Sequence, residues 1–185
     1  MLDFIKHWRQ ERLLRRLEHV ERNKKIENIA NIKTIGLIFH VGDENHWNLL
    51  YHFAKLMEND GKQIFMIGFH DAEPELDYII THSNTILCKE KEDFDYWGLP
   101  KGDVSNKFVA QHYDILIDTT DEPNFFGQYL ALKCDADLKI CYASDNDIED
   151  NGRVFDMMIR GEGSLDLREY LNHVVKYLKM IKKEA

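Results

Sequence analysis

The sequence predicts an α/β protein: a three-layer αβα sandwich, Rossmann-like, with a mostly parallel sheet of five or six strands and an extra N-terminal basic helix. The pattern of apolar residues supports this fold class. From about Lys33 onward, short apolar runs alternate with segments of helical periodicity. Such alternation favours right-handed crossovers and a parallel sheet covered by helices on both faces. The basic helix precedes the alternation, so we divide the chain into that helix, residues 1–30, and a single α/β domain, residues 31–185.

Strand and helix signals are clear in the first half of the α/β region. TIGLIFH (34–40) and QIFMIGF (63–69) are continuous apolar runs with β-branched residues, which is typical of strands buried on both faces. Between them, the segment 45–61 has apolar residues on one helical face, and Gly61 is placed as a C-terminal capping glycine. TILC (85–88) predicts a third, short strand.

The second half continues the alternation. In chain order the predicted elements are a brief helix 105–113, a strand 114–119, a helix 123–135, a strand 138–143, a strand 155–160 and a long helix from 164 to about 182. Ser105 and Ser164 are predicted to cap the first and last of these helices, because a serine oxygen can accept an amide of the first turn. Pro123 fits the first turn of the middle helix, where no amide donor is needed.

Composition narrows the class of protein. The 185 residues are 44% hydrophobic and 31% charged, which is ordinary for one globular domain with a sizeable core. The cysteines are odd in number, and no C-x-x-C pair, signal peptide or apolar run of bilayer length is present. These features favour a cytoplasmic protein whose thiols are buried.

The charge is divided unevenly between the N-terminal helix and the rest. Residues 1–25 carry eight basic and four acidic side chains within a net charge of −9, so the remainder carries −13. An acidic body repels nucleic-acid backbones, which argues against nucleic acid as a partner. A membrane partner is also disfavoured, because Arg9 and Arg16 interrupt the apolar stripe of the helix predicted over about 2–28. We expect this helix to dock on the protein's own body, on a second copy or on another protein.

Two stretches carry a resemblance to a known family. HYDILIDTTDEPNFFGQYLALKCDADLKICYA (112–143) and FDMMIRGEGSLDLREYLNHVVKYLKMI (155–181) resemble an uncharacterised family of small bacterial α/β proteins, a domain of unknown function. That resemblance covers most of the chain and implies no activity. At fold level the central stretch is also similar to the acceptor half of heptosyltransferase-like glycosyltransferases, although a second, nucleotide-sugar domain is lacking.

Polar residues follow nearly every predicted strand. Ligands of open parallel sheets bind beyond the carboxyl ends of the strands, near the point where the strand order reverses. The candidate ligand-binding residues at this edge are His40, Asp43, His46, His70, Asp118, Asp121, Arg160 and Ser164. Glu44, Asp71, Glu122, Ser144, Asp145 and Asp147 lie beside them in the sequence. We expect Asp118 to face the crevice with His40, and Asp121 to cap the following helix.

Several familiar sites are excluded by missing motifs. The chain has no G-x-G-x-x-G, no G-x-x-x-x-G-K-[ST] and no G-x-S-x-G, so no dinucleotide, P-loop or α/β-hydrolase site is indicated. A phosphoacceptor role for Asp118 lacks the expected acidic pair and lysine. Carboxylate and imidazole in HVGDENH (40–46) suit a transition metal, but Asp43 or Asn45 at a helix start is the simpler explanation. We therefore predict no metal and no cofactor.

Two functions remain open. The first is a non-enzymatic or accessory binding module that uses the carboxyl edge of the sheet and the N-terminal helix. The alternative is an enzyme with an acidic strand-end site, metal-assisted or glycosyltransferase-like. Arg160 and the amides before the last helix suit an anion. The aromatic cluster FDYWGLP (94–100) is either a lid over the edge or a loop anchored by Trp97, of which we favour the anchored loop.

Overall fold

Six parallel strands form the central sheet. The computed structural model describes residues 2–18, 22–70, 78, 84–101, 104–144, 148–161 and 164–181. In chain order the elements are α1 (Leu2–Leu17), β1 (Thr34–His40), α2 (Glu44–Asn59), β2 (Gln63–His70), β3 (Thr85–Lys89), α3 (Glu90–Asp93), α4 (Asn106–Val109), β4 (His112–Asp118), α5 (Phe125–Lys133), β5 (Asp135–Ala143), α6 (Ile148–Asn151), β6 (Met157–Arg160) and α7 (Leu167–Met180). Helices cover both faces of the sheet, so the predicted three-layer α/β class is confirmed.

The strand order is β3-β2-β1-β4-β5-β6, and every neighbouring pair is parallel. From the central strand β1 the chain moves outward through β2 and β3, and then returns to the other side of β1 for β4, β5 and β6. The order therefore reverses between β1 and β4, where Ile38 pairs with Asp118. In a doubly wound sheet this point leaves a crevice at the carboxyl ends of the two strands.

The core has two parts, one on each face of the sheet. On one face, α2 and α7 cover alternate strand residues such as Leu37 and Phe39, and Trp47 and Tyr170 fill the space between the layers. On the other face, α4 and α5 cover residues such as Ile38. This division follows from the two-residue period of a strand, which sends successive side chains to opposite faces.

Several predicted boundaries are wrong, and the errors concentrate where strands begin. The brief helix predicted over 105–113 ends at Val109, and β4 already starts at His112. Similarly, β5 starts at Asp135 rather than at 138. Both extensions are polar, but they pair with each other across the sheet, His112 with Asp135, and ladder hydrogen bonds hold them in strand conformation. Backbone pairing thus overrides the local absence of an apolar run.

Two predicted helix caps are also wrong. The N-cap of α5 is Asn124, whose side chain accepts the Gly127 N–H at 2.8 Å, and not Asp121. The N-cap of α7 is Asp166, which accepts the Glu169 N–H at 2.9 Å, and not Ser164. In each loop the residue that caps is the last polar residue before the first helical turn, because only that position places its oxygen beside the free amides.

The N-terminal helix is shorter than predicted and packs against the body of the protein. It ends at Leu17 instead of continuing to about 28. Leu14 is buried, and the Gln10 Nε2–H donates to the Trp97 carbonyl at 2.7 Å, so the helix contacts both the core and the 94–100 loop. No helix in the part of the chain described by the structure is long and apolar enough to cross a membrane.

Candidate functional site

The carboxyl ends of β1 and β4 bring His40 and Asp118, which were predicted to share a crevice, to one face of the sheet. Ile38 and Asp118 are register partners, and Ile38 faces the α5 side. His40 lies two residues further along β1 and therefore points to the same face. Its ring contacts Phe69 at the end of β2, with 4.6 Å between the ring centroids in an edge-to-face arrangement. The predicted crevice thus has an aromatic neighbour as well as a carboxyl group.

Asp118 is enclosed by the residues that follow it. Only 5% of the residue is exposed, and its Oδ1 accepts the Thr120 N–H at 2.9 Å. Its Oδ2 lies against the first turn of α5, where a Cβ added to Gly127 would be 2.6 Å away. Burial raises the pKa of the Asp118 carboxyl to about 6, although the Thr120 hydrogen bonds oppose this shift. The glycine at position 127 is therefore needed for helix α5 to approach the carboxyl group.

His46 and Asp43 form a second group at the start of α2. Asp43 is the N-cap of this helix, and its Oδ1 accepts the His46 N–H at 2.8 Å. Burial lowers the pKa of the His46 imidazole, and nearby His40 lowers it further, while Asp43 and Asp121 act in the opposite direction. Within the described ranges the buried His46 Nε2 has no hydrogen-bond partner. His46 is therefore a neutral, half-buried imidazole at neutral pH.

Replacing Asp43 by alanine is expected to lower the free energy of unfolding by about 1 kcal/mol, the usual effect of losing an N-cap oxygen. Urea denaturation of both the variant and the wild type measures this difference. Glu44→Ala is the matched control, because Glu44 is exposed in the first turn and accepts no capping bond there. We expect that control to cost only a few tenths of a kcal/mol through the helix dipole. Equal losses in the two variants would contradict the capping role.

Asp121 links the crevice to the loop before α7. Its carboxylate accepts the Leu165 N–H, so it holds the 164–166 segment instead of capping α5. Ser164 is exposed next to this contact. Arg160 is exposed at the end of β6, which lies three strands away from β1. The structure therefore brings Asp121 and the loop of Ser164 together but leaves Arg160 at the edge of the sheet.

The remaining predicted residues do not join this cluster. His70 ends β2 and is 5% exposed, and its buried Nδ1 lacks a hydrogen-bond partner among the residues described. Asp71, Asp145 and Asp147 lie outside the described residues. The crevice side chains whose charges act on His46 are thus His40, Asp43 and Asp121.

A group of possible metal ligands occurs at the opposite edge of the sheet. In the described segments, His112, Asp114 and Asp137 are the set whose ligand atoms lie within 4.8 Å of one another. These atoms already have structural contacts: Asp114 Oδ2 accepts the Lys33 and Thr34 amides at 2.6 and 2.9 Å, and His112 Nδ1 is 2.9 Å from Asp135 Oδ2. These contacts give the group a structural role, since they join β4 to β5 and to the residues that enter β1.

The aromatic segment FDYWGLP forms a closed loop that is held from both sides. The Asp95 Oδ1 accepts the Trp97 and Leu99 amides at 2.8 and 3.0 Å, and Gly98 supplies the positive φ of 79° that the turn needs. Phe94 is buried in the α5-side core. The Arg9 guanidinium lies over the Trp97 ring, with its Cζ 4.1 Å from the ring centroid. Trp97 therefore fastens the loop to α1 rather than to the core.

A cleft of about 530 Å³ opens between α1, this loop and the start of α5. Its inner wall is a row of phenylalanine rings, with centroids 4.8 Å apart for Phe69 and Phe126 and 5.2 Å for Phe94 and Phe126. Its polar lining comes from Lys6, Gln10, Asp95 and Asn124. The row continues through Phe69 to His40, which joins the cleft to the carboxyl-edge crevice.

The phenylalanines of the cleft were absent from the predicted site. They come from β2, the 94–100 loop and the first turn of α5, which are far apart in the sequence. Apolar residues at these positions are typical of a core, so their pattern alone does not indicate a binding wall. The available signal was the aromatic cluster FDYWGLP beside the predicted sheet edge, together with the adjacent rings of Phe125 and Phe126.

Comparison with known proteins assigns a family without an activity. No curated protein matches the chain, so the similarity to heptosyltransferase-like enzymes stays a prediction. A family model matches residues 4–181, which include nearly all of α1, the whole sheet and all of α7. The chain therefore belongs to DUF6913, a family of unknown function.

Proposed function

We propose that the protein is a binding module for a small molecule with an aromatic or apolar body and polar ends. The ligand binds in the cleft between α1, the 94–100 loop and the start of α5. The observation that carries this proposal is the wall of Phe69, Phe94 and Phe126 beside a polar rim. A volume of about 530 Å³ lies within the usual range for small-molecule sites, which combine apolar walls with a few polar groups.

The walls of the cleft are held in place without a ligand. Ring packing orients the three phenylalanines, tilted between Phe69 and Phe126 and edge-to-face between Phe94 and Phe126. Phe94 and Phe126 are also part of the buried core. The loop opposite is closed by the two Asp95 hydrogen bonds and by a β-bridge between Phe94 and Pro100. A site formed in advance loses less conformational entropy when it binds, which supports binding as its role.

The N-terminal helix contributes part of the site. Lys6 and Gln10 line the cleft from α1, and Gln10 is fixed by its hydrogen bond to the Trp97 carbonyl. Lys6 can meet an acceptor on the ligand, while Asp95 on the loop can meet a donor. This arrangement combines the two elements expected of a binding module, namely the carboxyl edge of the sheet and the basic helix.

The binding function is better supported than catalysis at the acidic strand ends. The carboxyl group of Asp118 and the Nε2 of His46 are enclosed by protein, and neither residue lines the cleft. A general acid or base must come within hydrogen-bond reach of a substrate atom. The Asp118 carboxyl and the His46 imidazole are thus separated from the cleft in which the ligand is proposed to bind.

Filling the cleft is expected to weaken binding of the aromatic probe anilinonaphthalene sulfonate, which is measured by the fluorescence of the probe. Lys6→Trp places an indole in the cleft without removing the Gln10 hydrogen bond, so we expect binding at least about ten-fold weaker. His7→Trp is the matched control, because His7 is the exposed next residue of the same helix and does not line the cleft.

A third variant distinguishes the effect of filling the cleft from the effect of removing the Lys6 ammonium. Lys6→Met removes the ammonium but keeps a chain of similar length, and we expect binding within about five-fold of wild type, since an exposed ion pair contributes at most about 1 kcal/mol. Unchanged binding by Lys6→Trp, or equal losses in Lys6→Trp and His7→Trp, would overturn the proposed site.

A further inference from the structure

A second cavity, of about 720 Å³, lies on the α5 side of the sheet towards the amino ends of β5 and β6. It is enclosed by the end of α1, the 22–24 segment, the C-terminal turn of α5 and the 152–156 turn. Lys139, in the middle of β5, lines this cavity although only 2% of the residue is exposed. A lysine with so little exposure normally has a paired acidic group, so its surroundings need an explanation.

Asp156, a carboxylate that lines the cavity and acts on the charge of Lys139, already pairs with other groups. Its oxygens bond to Arg22 and, at 2.9 Å, to the Lys24 ammonium. One of them also accepts the backbone N–H of Lys139 at 2.9 Å. These hydrogen bonds outweigh the effect of burial and hold the Asp156 pKa below its usual value. In the described part of the chain, no hydrogen bond or ion pair reaches the Lys139 Nζ itself.

The charges around Lys139 leave it without a counter-ion. Burial lowers the pKa of its ammonium to about 8, and Arg22 lowers it further, while Cys134, Asp156 and Asp135 oppose this only through space. The other charged side chains that line the cavity are Glu18, Lys24, Lys133 and Arg153. Five basic side chains therefore face three acidic ones, and Arg22 with Lys24 already shares Asp156.

We propose that this cavity is a binding site for a small molecule bearing an oxyanion, a phosphate or carboxylate group, which pairs with the buried ammonium of Lys139. The excess of basic side chains favours an anion. Apolar lining from Leu17, Leu132, Val154 and Phe155 favours an organic body attached to it. The site is independent of the cleft proposed above, because the two cavities share no lining residue.

Binding at this site has a proton signature. An oxyanion beside Lys139 stabilises the ammonium form, so the pKa of that group rises on binding. At pH 8 roughly half of the free protein carries a neutral amine at this position, and binding must then take up protons. Between pH 7 and 9.5 the affinity is expected to fall by about ten-fold or more, because the competent ammonium form is lost.

Isothermal titration calorimetry of the full chain at pH 8 tests this site with phenyl phosphate and benzoate. Measurements in two buffers of different ionisation enthalpy give the proton uptake. The wild type is expected to bind at least one of these two probes with uptake of protons. It is not expected to bind phenol, which lacks the oxyanion. Binding of only one probe identifies the oxyanion as phosphate-type or carboxylate-type.

Two variants decide whether Lys139 is responsible. Lys139→Met keeps the apolar stem and is expected to bind at least about ten-fold more weakly, without proton uptake. Lys133→Met removes an exposed ammonium from the same rim and is expected to stay within about five-fold of wild type. Lys139→Gln is a second probe of the same position if the methionine variant has an altered circular dichroism spectrum. Absence of binding by wild type, or wild-type affinity in both Lys139 variants, would overturn the proposal.

Discussion

Replacing Asp118 by asparagine is expected to stabilise the protein at neutral pH and to have less effect in acid. Burial raises the folded-state pKa of this carboxyl from 3.8 to about 6. The folded protein therefore favours the protonated form, and the stability that this form contributes is present below pH 3.8 and is lost as the pH rises through 6. The full loss is about 3 kcal/mol, of which about 2 kcal/mol falls between pH 4.5 and pH 8.

Asparagine has nearly the shape of the neutral carboxyl and does not titrate. Its oxygen can still accept the Thr120 N–H. The difference in free energy of unfolding between variant and wild type is thus expected to grow in favour of Asp118→Asn from pH 4.5 to pH 8, as measured by urea denaturation. A difference that stays constant with pH would show that burial does not bias this carboxyl towards its neutral form.

Replacing Lys139 by methionine is expected to stabilise the protein by about 3 kcal/mol at pH 7 in the absence of a bound anion. The folded-state pKa of this ammonium is lowered from 10.5 to about 8. Stability from a lowered lysine pKa is fully present above 10.5 and is lost as the pH falls through 8. The advantage of the methionine variant should therefore shrink by about 2 kcal/mol between pH 7 and pH 9.5.

Thermal or urea unfolding at several pH values measures this advantage, with Lys133→Met as the exposed control on the same cavity. Addition of phenyl phosphate or benzoate should reduce the difference, because an anion that binds the folded wild type stabilises it. A methionine variant that is less stable than wild type at every pH would mean that the Lys139 ammonium has a compensating partner in the folded protein.

The sequence determined the fold class, because the signals for it are local. The run 34–40 is continuous and apolar, as a strand covered on both faces must be, and β1 has the same bounds. Gly61 follows α2 with the positive φ expected of a capping glycine. Asp43 lies three residues before the amide that it accepts. Each of these features depends on residues a few positions apart, so a short window of sequence contains all the information.

Helix starts were predicted less well, because the sequence offers several polar residues where only one caps. Asp121 and Asn124 both precede α5, and Ser164 and Asp166 both precede α7. The path of the chain decides between them. Here Asp121 turns to accept the Leu165 amide from a loop 44 residues away, and this long-range bond leaves the capping of α5 to Asn124.

Both proposed sites depend on contacts that only the tertiary structure decided. The cleft combines Lys6, Phe69, Phe94 and Phe126 from four separate segments, each of which taken alone has the pattern of a helix face or a core residue. Lys139 appears in the sequence as an ordinary residue of KICYA. It lacks a counter-ion because Arg22 and Lys24, more than a hundred positions earlier in the chain, occupy Asp156. Strand and helix formation is governed by neighbours along the chain, whereas burial and charge pairing are governed by neighbours in space, and folding alone brings those together.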